Sequence, residues 1–144
     1  MTNKVEKLKP AKKAQYTAKW ARTMTKWFVT YGHRAGARWN IVDFGGKTKS
    51  ESRGVVDLVA IRKNHRADVE GVKRGDLFEI ILLQIKGGSA PRPTREDIDR
   101  LLRVAKHHRA KAIVLVEWRR GEKLDLFTLK RGKWEPATAT QIFG

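Results

Sequence analysis

The sequence contains no cysteine, which excludes disulfides, thiolate catalysis and Cys-ligated zinc or iron–sulfur centres. Acids are scarce. Asp and Glu total 15 against 32 Lys and Arg, a formal charge of +17 on 144 residues. Between Glu6 and Asp43 there is no carboxylate at all. No apolar run approaches the roughly 18–20 residues that span a bilayer, so no membrane partner is expected. The opening MTNKVEKLKP lacks the apolar stretch of a secretory signal, and a cytoplasmic protein is the expectation. Gly87-Gly88 lacks the upstream glycine and the Gly-Lys-Ser/Thr ending of a phosphate loop, and no small-molecule cofactor is expected. No repeat or low-complexity tract marks a second domain. The expected organisation is a basic arm over 1–10 and one domain over 11–144.

What is present points to a polyanion. Hydrophobic residues make up 40%, with five Trp, enough to build a core and too many for wholesale disorder. Solubility in a small domain needs a net charge of only about 2–8, so +17 calls for a partner, nucleic acid being the commonest. The charge is skewed. From Met1 to Val42 there are ten Lys or Arg and one acid, Glu6. Lys4, Lys7, Lys9, Lys12 and Lys13 cluster around Pro10 as a candidate phosphate-binding arm.

Hydrophobic periodicity predicts alternating element types. Tyr16, Trp20, Met24, Trp27 and Tyr31 recur every three or four residues, the apolar stripe of a helix over Ala11 to Tyr31, with Gly32 as its C-cap. Lys12, Lys19, Arg22 and Lys26 fall on the other side of that wheel. Strands are expected at Arg38 to Phe44, Val55 to Ile61 and Phe78 to Lys86. Thr94 is a good N-cap, and Glu96 and Asp97 suit the positive end of the following helix, whose apolar stripe is Ile98, Leu101, Leu102 and Ala105. Two more strands, Ala112 to Trp118 and Leu124 to Leu129, would form a hairpin through RRGEK. Helix, three strands, helix, two strands is the signature of an α/β or α+β domain with a mixed central sheet.

Two polar positions interrupt the apolar strands. Asp57 lies inside GVVDLVAI, where a carboxylate needs a cation, a metal or hydrogen bonds to offset its burial. Gln84 and Lys86 end the run IILLQIK and, two apart, share one face of a strand. An acid beside an amide oxygen and an ammonium can hold a divalent cation and polarise a phosphodiester. The structural alternative is an Asp57–Lys86 ion pair capping the sheet. His33, His65, His107 and His108 show no metal spacing and read as surface or capping residues. Trp20, Trp27 and Trp39 would stack on bases, although aromatics at helical spacing usually belong to a core.

Element order and motif together resemble the PD-(D/E)XK nuclease superfamily, which includes archaeal Holliday-junction resolvases and many restriction endonucleases. That family carries an Asp on the second core strand and (D/E)-x-K on the third. Asp57 matches the first, Gln84-Ile85-Lys86 the second, and Ser52-Arg53-Gly54 resembles the loop ahead of the Asp strand in resolvase-like members. The likeness spans roughly Ala11 to Leu129. It implies a restriction-endonuclease-like core: a helix, a three-stranded meander, a crossover helix and a further strand. It also implies metal-assisted hydrolysis of DNA, branched or structured DNA in particular, by a nucleoid-associated enzyme acting as a homodimer. Asp57 and Gln84 would coordinate Mg²⁺ (or Mn²⁺) with the backbone carbonyl of Ile85, and Lys86 would serve the attacking water. Arg53, Arg92, Arg95 and the face bearing Lys12, Lys19, Arg22 and Lys26 would meet phosphates. Two departures stand out. Gln84 replaces the usual acid, and the first helix lacks the Glu often found there; Asp43, Glu51 or the amide of Gln15 are the candidates to replace it. The rival expectation is a non-catalytic nucleic-acid-binding domain on the same fold, and a basic RNA-binding protein comes third.

Overall fold

The structure, a computed structural model, describes residues 10–31, 37–44, 54–88 and 90–144; within the first helix the side chains of residues 10, 11, 14 and 15 are also left undescribed. Among the described residues three helices accompany a six-stranded mixed sheet. The elements are α1 (Pro10–Tyr31), β1 (Asn40–Asp43), β2 (Leu58–Lys63), β3 (Phe78–Gly87), α2 (Arg95–His108), β4 (Ala112–Trp118), β5 (Asp125–Lys130), β6 (Lys133–Pro136) and α3 (Ala139–Phe143). The strands lie in sequence order. Only β3 and β4 run parallel, because α2 carries the chain back across the sheet between them; every other neighbour is antiparallel.

Alternation along the central strands separates two cores. Leu58, Ala60, Ile81, Leu83, Val114 and Val116 meet Val29 of α1, Trp39, and Ile142 and Phe143 of α3. On the opposite face Leu82 and Ile113 meet Leu101 of α2, with Val55 beside them. The sheet is therefore covered on both sides, and its central strands read as unbroken apolar runs. The start of α2 forms as its sequence predicts. Thr94 Oγ1 accepts from the Asp97 N–H at 3.1 Å, and the Asp97 carboxylate accepts from the Thr94 N–H at 3.1 Å, a complete capping box. Ile98 and Leu101 are buried, whereas Leu102 is exposed.

The first helix corrects the expectation. Its core side is not the aromatic stripe but Ala21, Thr25 and Val29, while Tyr16, Trp20, Met24, Trp27 and Tyr31 face solvent. The reason is close approach. A Cβ on Gly87, at the end of β3, would lie 3.2 Å from Thr17 and 3.3 Å from Ala21. Small side chains meet a glycine there, and rings would hold the helix off the sheet. Other differences are smaller. The first strand is shorter than expected, the second starts at Leu58 rather than Val55, and β6 and α3 were not legible in the sequence. Gly32 and the arm over 1–9 lie outside the described residues.

Arg62 ties the C-terminal segment to the sheet. It is 5% exposed, stacks over Trp39 at 4.2 Å, and donates to the carbonyls of Phe143 at 3.1 Å and Gly144 at 2.9 Å. Glu79, opposite it in the β2–β3 register, takes its charge at 3.1 Å. Trp39 itself donates to the Phe143 carbonyl at 2.8 Å. This indole is core, not a base-stacking ring as the sequence allowed.

Candidate functional site

Asp57 stands one residue ahead of β2 rather than within it. Its N–H donates to the Leu83 carbonyl at 2.9 Å, yet Leu83 is already the register partner of Leu58. Two residues of one strand thus oppose one of the other, which is the pattern of a β-bulge. A bulge re-aims the side chain, and the Asp57 carboxylate meets Arg22 of α1 at 3.6 Å. Its other oxygen accepts the Ile85 N–H at 2.7 Å. The backbone carbonyl of Asp57 accepts from Phe44 at 3.2 Å and from Arg22 at 3.3 Å. Asp57 is held at every polar atom.

Asp43, the last residue of β1, stands beside it. The Arg22 guanidinium reaches Asp43 at 2.6 Å while facing Asp57, and Lys26, one turn further along α1, reaches Asp43 at 2.9 Å. The two carboxylates therefore share one arginine. Burial pushes the Asp57 carboxyl above its ordinary value of 3.8, the Ile85 N–H, Arg22 and Lys86 pull it back, and Asp43 adds to the rise. The balance is upward, so desolvation outweighs the positive charge supplied.

The Gln84-Ile85-Lys86 segment lies against this acid. Ile85 donates its N–H to Asp57, and in a strand the carbonyl of the same residue projects to the same neighbour. Gln84 continues the alternation of Ile80 and Leu82, and is 7% exposed. Its Oε1 is buried and accepts no hydrogen bond from the described residues. An orphaned amide oxygen costs about 1–3 kcal/mol unless a donor or cation fills it. Lys86 influences Asp57 through space, but the ion pair Asp57 makes is with Arg22. The simple Asp57–Lys86 cap allowed by the sequence is replaced by an α1–β1–β2 network.

The structure sorts the remaining candidates. Asp57, the Gln84–Lys86 segment and Asp43 come together at one end of the sheet. Glu51 and Arg53 lie outside the described residues, as does the side chain of Gln15. Arg22 and Lys26, expected to meet phosphates, pair with Asp43 and, for Arg22, with Asp57. Lys12 and Lys19 are exposed and free of that network. Arg92 is pinned, pairing with Glu117 at 2.6 Å and lying over Phe127 at 4.5 Å. Arg95 is 75% exposed, pairs with Asp99 at 3.5 Å and reaches the β5–β6 turn at Gly132. His107 and His108 are exposed, with rings in edge-to-face contact at 4.8 Å. Among the described residues no three His, Asp or Glu gather as a metal cluster. An open groove of about 490 Å³ runs from Asp43 and Lys26 past Thr30 to Arg38.

The role of Arg22 was missed in sequence. The signal was its i, i+4 spacing to Lys26 on a helix without acids, which requires that any counter-charge come from another element.

No protein-family model matches this chain, and no curated protein or solved structure matches it either.

Proposed function

We propose that the chain is a Mg²⁺-dependent DNA endonuclease of restriction-endonuclease-like architecture, acting on branched or otherwise structured DNA. The observation that carries the reading is the Asp57 carboxylate, buried, raised in pKa, and bonded to the backbone N–H between Gln84 and Lys86. A buried, perturbed acid beside a specific charge partner marks a candidate functional site. The element order supports it as well: a helix, an antiparallel three-stranded meander, a crossover helix and a parallel strand agree with the core that the resemblance implies.

The donors on the α1 side of the sheet suit a hard cation. The carboxylates of Asp57 and Asp43 are oxygen ligands of the kind Mg²⁺ or Mn²⁺ takes, with the Ile85 carbonyl as a further donor. Gln84 follows Leu82 toward α2, so its buried Oε1 stands apart from the Arg22-facing acids. When bound, the ion supplies Lewis-acid polarisation of a phosphoryl oxygen. Lys86 orients the attacking water and offsets charge growing on the phosphate. Arg22 holds Asp43 and Asp57 in place and supplies positive charge to the same spot. A homodimer would match the two-fold symmetry of a four-way junction.

A second reading has its own observation. Arg22 already neutralises both acids, and fewer than three acidic or histidine ligands gather among the described residues. That arrangement suits a nucleic-acid-binding domain that keeps the fold without cutting. Incubation with plasmid, linear and four-way-junction DNA in Mg²⁺, Mn²⁺ or EDTA separates the two. The endonuclease cuts with metal, stops in EDTA and is silent as Asp57→Ala. Absence of cutting on every substrate, with binding retained, supports the binding domain.

A further inference from the structure

The outer face of α1 carries four aromatic rings that the fold does not use. Tyr16, Trp20, Trp27 and Tyr31 are 38%, 41%, 64% and 51% exposed, with Met24 among them at 41%. At 3.6 residues per turn they fall within an arc of about 80°, and Tyr16 to Tyr31 spans about 22 Å. Tyr16 and Trp20 are tilted at 57° with centroids 6.1 Å apart; Trp27 and Tyr31 are tilted at 48° and 5.0 Å apart. A continuous exposed aromatic stripe on a soluble surface marks an interaction site.

Charge selects the occupant. α1 carries Lys12, Lys13, Lys19, Arg22 and Lys26 and no acid, and no acid follows before Asp43. A second copy would press one acid-free cationic helix against another. A polyanion would not. The rings are Trp and Tyr rather than Leu or Ile, and flat π faces take bases. Arg38 lies over the Tyr31 ring at 5.2 Å, and the groove lined by Arg38, Lys26 and Asp43 begins where the stripe ends. Through Arg38 the stripe therefore adjoins a groove that ends at Asp43, beside the candidate site, which favours nucleic acid over a lipid surface.

We propose that this face of α1 is a stacking platform for an unpaired DNA strand, its bases on Trp20, Trp27 and their Tyr neighbours and its phosphates on Lys12, Lys19 and Arg38. The inference rests on the nucleic-acid part of the reading above and not on cleavage. The test is a titration of the full chain in EDTA with labelled oligothymidylate and with a duplex of equal length, followed by anisotropy and tryptophan quenching. Stacking is worth enough per base that Trp20→Ala with Trp27→Ala lowers single-strand affinity at least about tenfold, while duplex affinity stays within about twofold. Trp20→Phe with Trp27→Phe, which keeps the rings, retains most of the affinity. Because these positions are exposed, the thermal melt of each variant should match the parent. Equal losses on single strand and duplex, or no loss, overturn the proposal. So does a change from dimer to monomer in sedimentation with single-strand binding intact, which would make the face a contact between copies. Loss of binding to phosphatidylserine vesicles alone would overturn it in favour of a lipid surface. Since metal is absent throughout, a chain that never cuts DNA can still pass this test, and one that cuts can fail it.

Discussion

At the residue scale, the site is a contest between burial and compensation at Asp57. Burial raises its pKa despite a hydrogen bond from Ile85 and the charges of Arg22 and Lys86. A raised carboxylate favours the protonated fold, so its contribution to stability is fully present below the unfolded value near 3.8 and is lost as pH climbs through the folded pKa. Ionised Asp57 therefore strains the fold at neutral pH. Asp57→Asn, which keeps an acceptor for the Ile85 N–H, is expected to raise the calorimetric melting temperature at pH 7 and to leave it unchanged below pH 3.8. A drop at pH 7 would show that the charge stabilises. Arg22 makes the matching prediction from the other side. Its guanidinium satisfies the carboxylates that a cation would need. Arg22→Met is expected to tighten Mg²⁺ binding severalfold in titration calorimetry, since a like-sign competitor within a few ångströms is removed. Unchanged or weaker binding would place the cation elsewhere.

At the element scale, Arg62 joins β2, β3 and the end of the chain. Removing one partner of a buried ion pair costs about 3–5 kcal/mol, so Arg62→Met should lower the free energy of unfolding in urea by that order. A loss under about 1 kcal/mol would mean that water reaches Glu79 readily. Arg62 was not legible in sequence because its partners, Glu79 and the carbonyls of Phe143 and Gly144, are distant along the chain. Local signals did better. Thr94 and Asp97 declare the start of α2 through contacts three residues apart, and the apolar run of Ala112–Trp118 declares β4. The stripe of α1 misled for a physical reason. Periodicity shows that one face is apolar, but Gly87 decides which face can approach β3, and only the packed sheet reveals that. At the site, Asp57, Gln84 and Lys86 were readable as polar breaks in apolar strands. The bulge that turns Asp57 toward Arg22, and so couples it to Asp43, depends on a register that no single strand encodes.

At the scale of the whole molecule, +17 on 144 residues predicts strongly salt-dependent DNA binding. If some five or more phosphates are neutralised, log K falls against log[salt] with a slope of about −4 or steeper. A flat response in an anisotropy titration would remove nucleic acid as the partner. No helix among the described residues is long and apolar enough to cross a membrane. The molecule divides its charge by role. Arg22 and Lys26 are spent on Asp43 and Asp57, Arg92 on Glu117, and Arg62 on Glu79, which leaves Lys12 and Lys19 of α1 as open cations beside the exposed rings. On the proposed reading, binding would draw on the general charge, whereas cutting would rest on Asp57 and the Gln84–Lys86 segment.

The central claim is that this segment performs hydrolysis, and the most direct measurement is the single-turnover rate of Mg²⁺-dependent scission of a four-way junction at saturating protein, comparing the parent with Lys86→Ala. Loss of a group that stabilises charge in the transition state costs about 10²–10³ in rate, with junction affinity within about twofold. Equal scission rates in both proteins, or a rate loss fully matched by weaker binding, would contradict it.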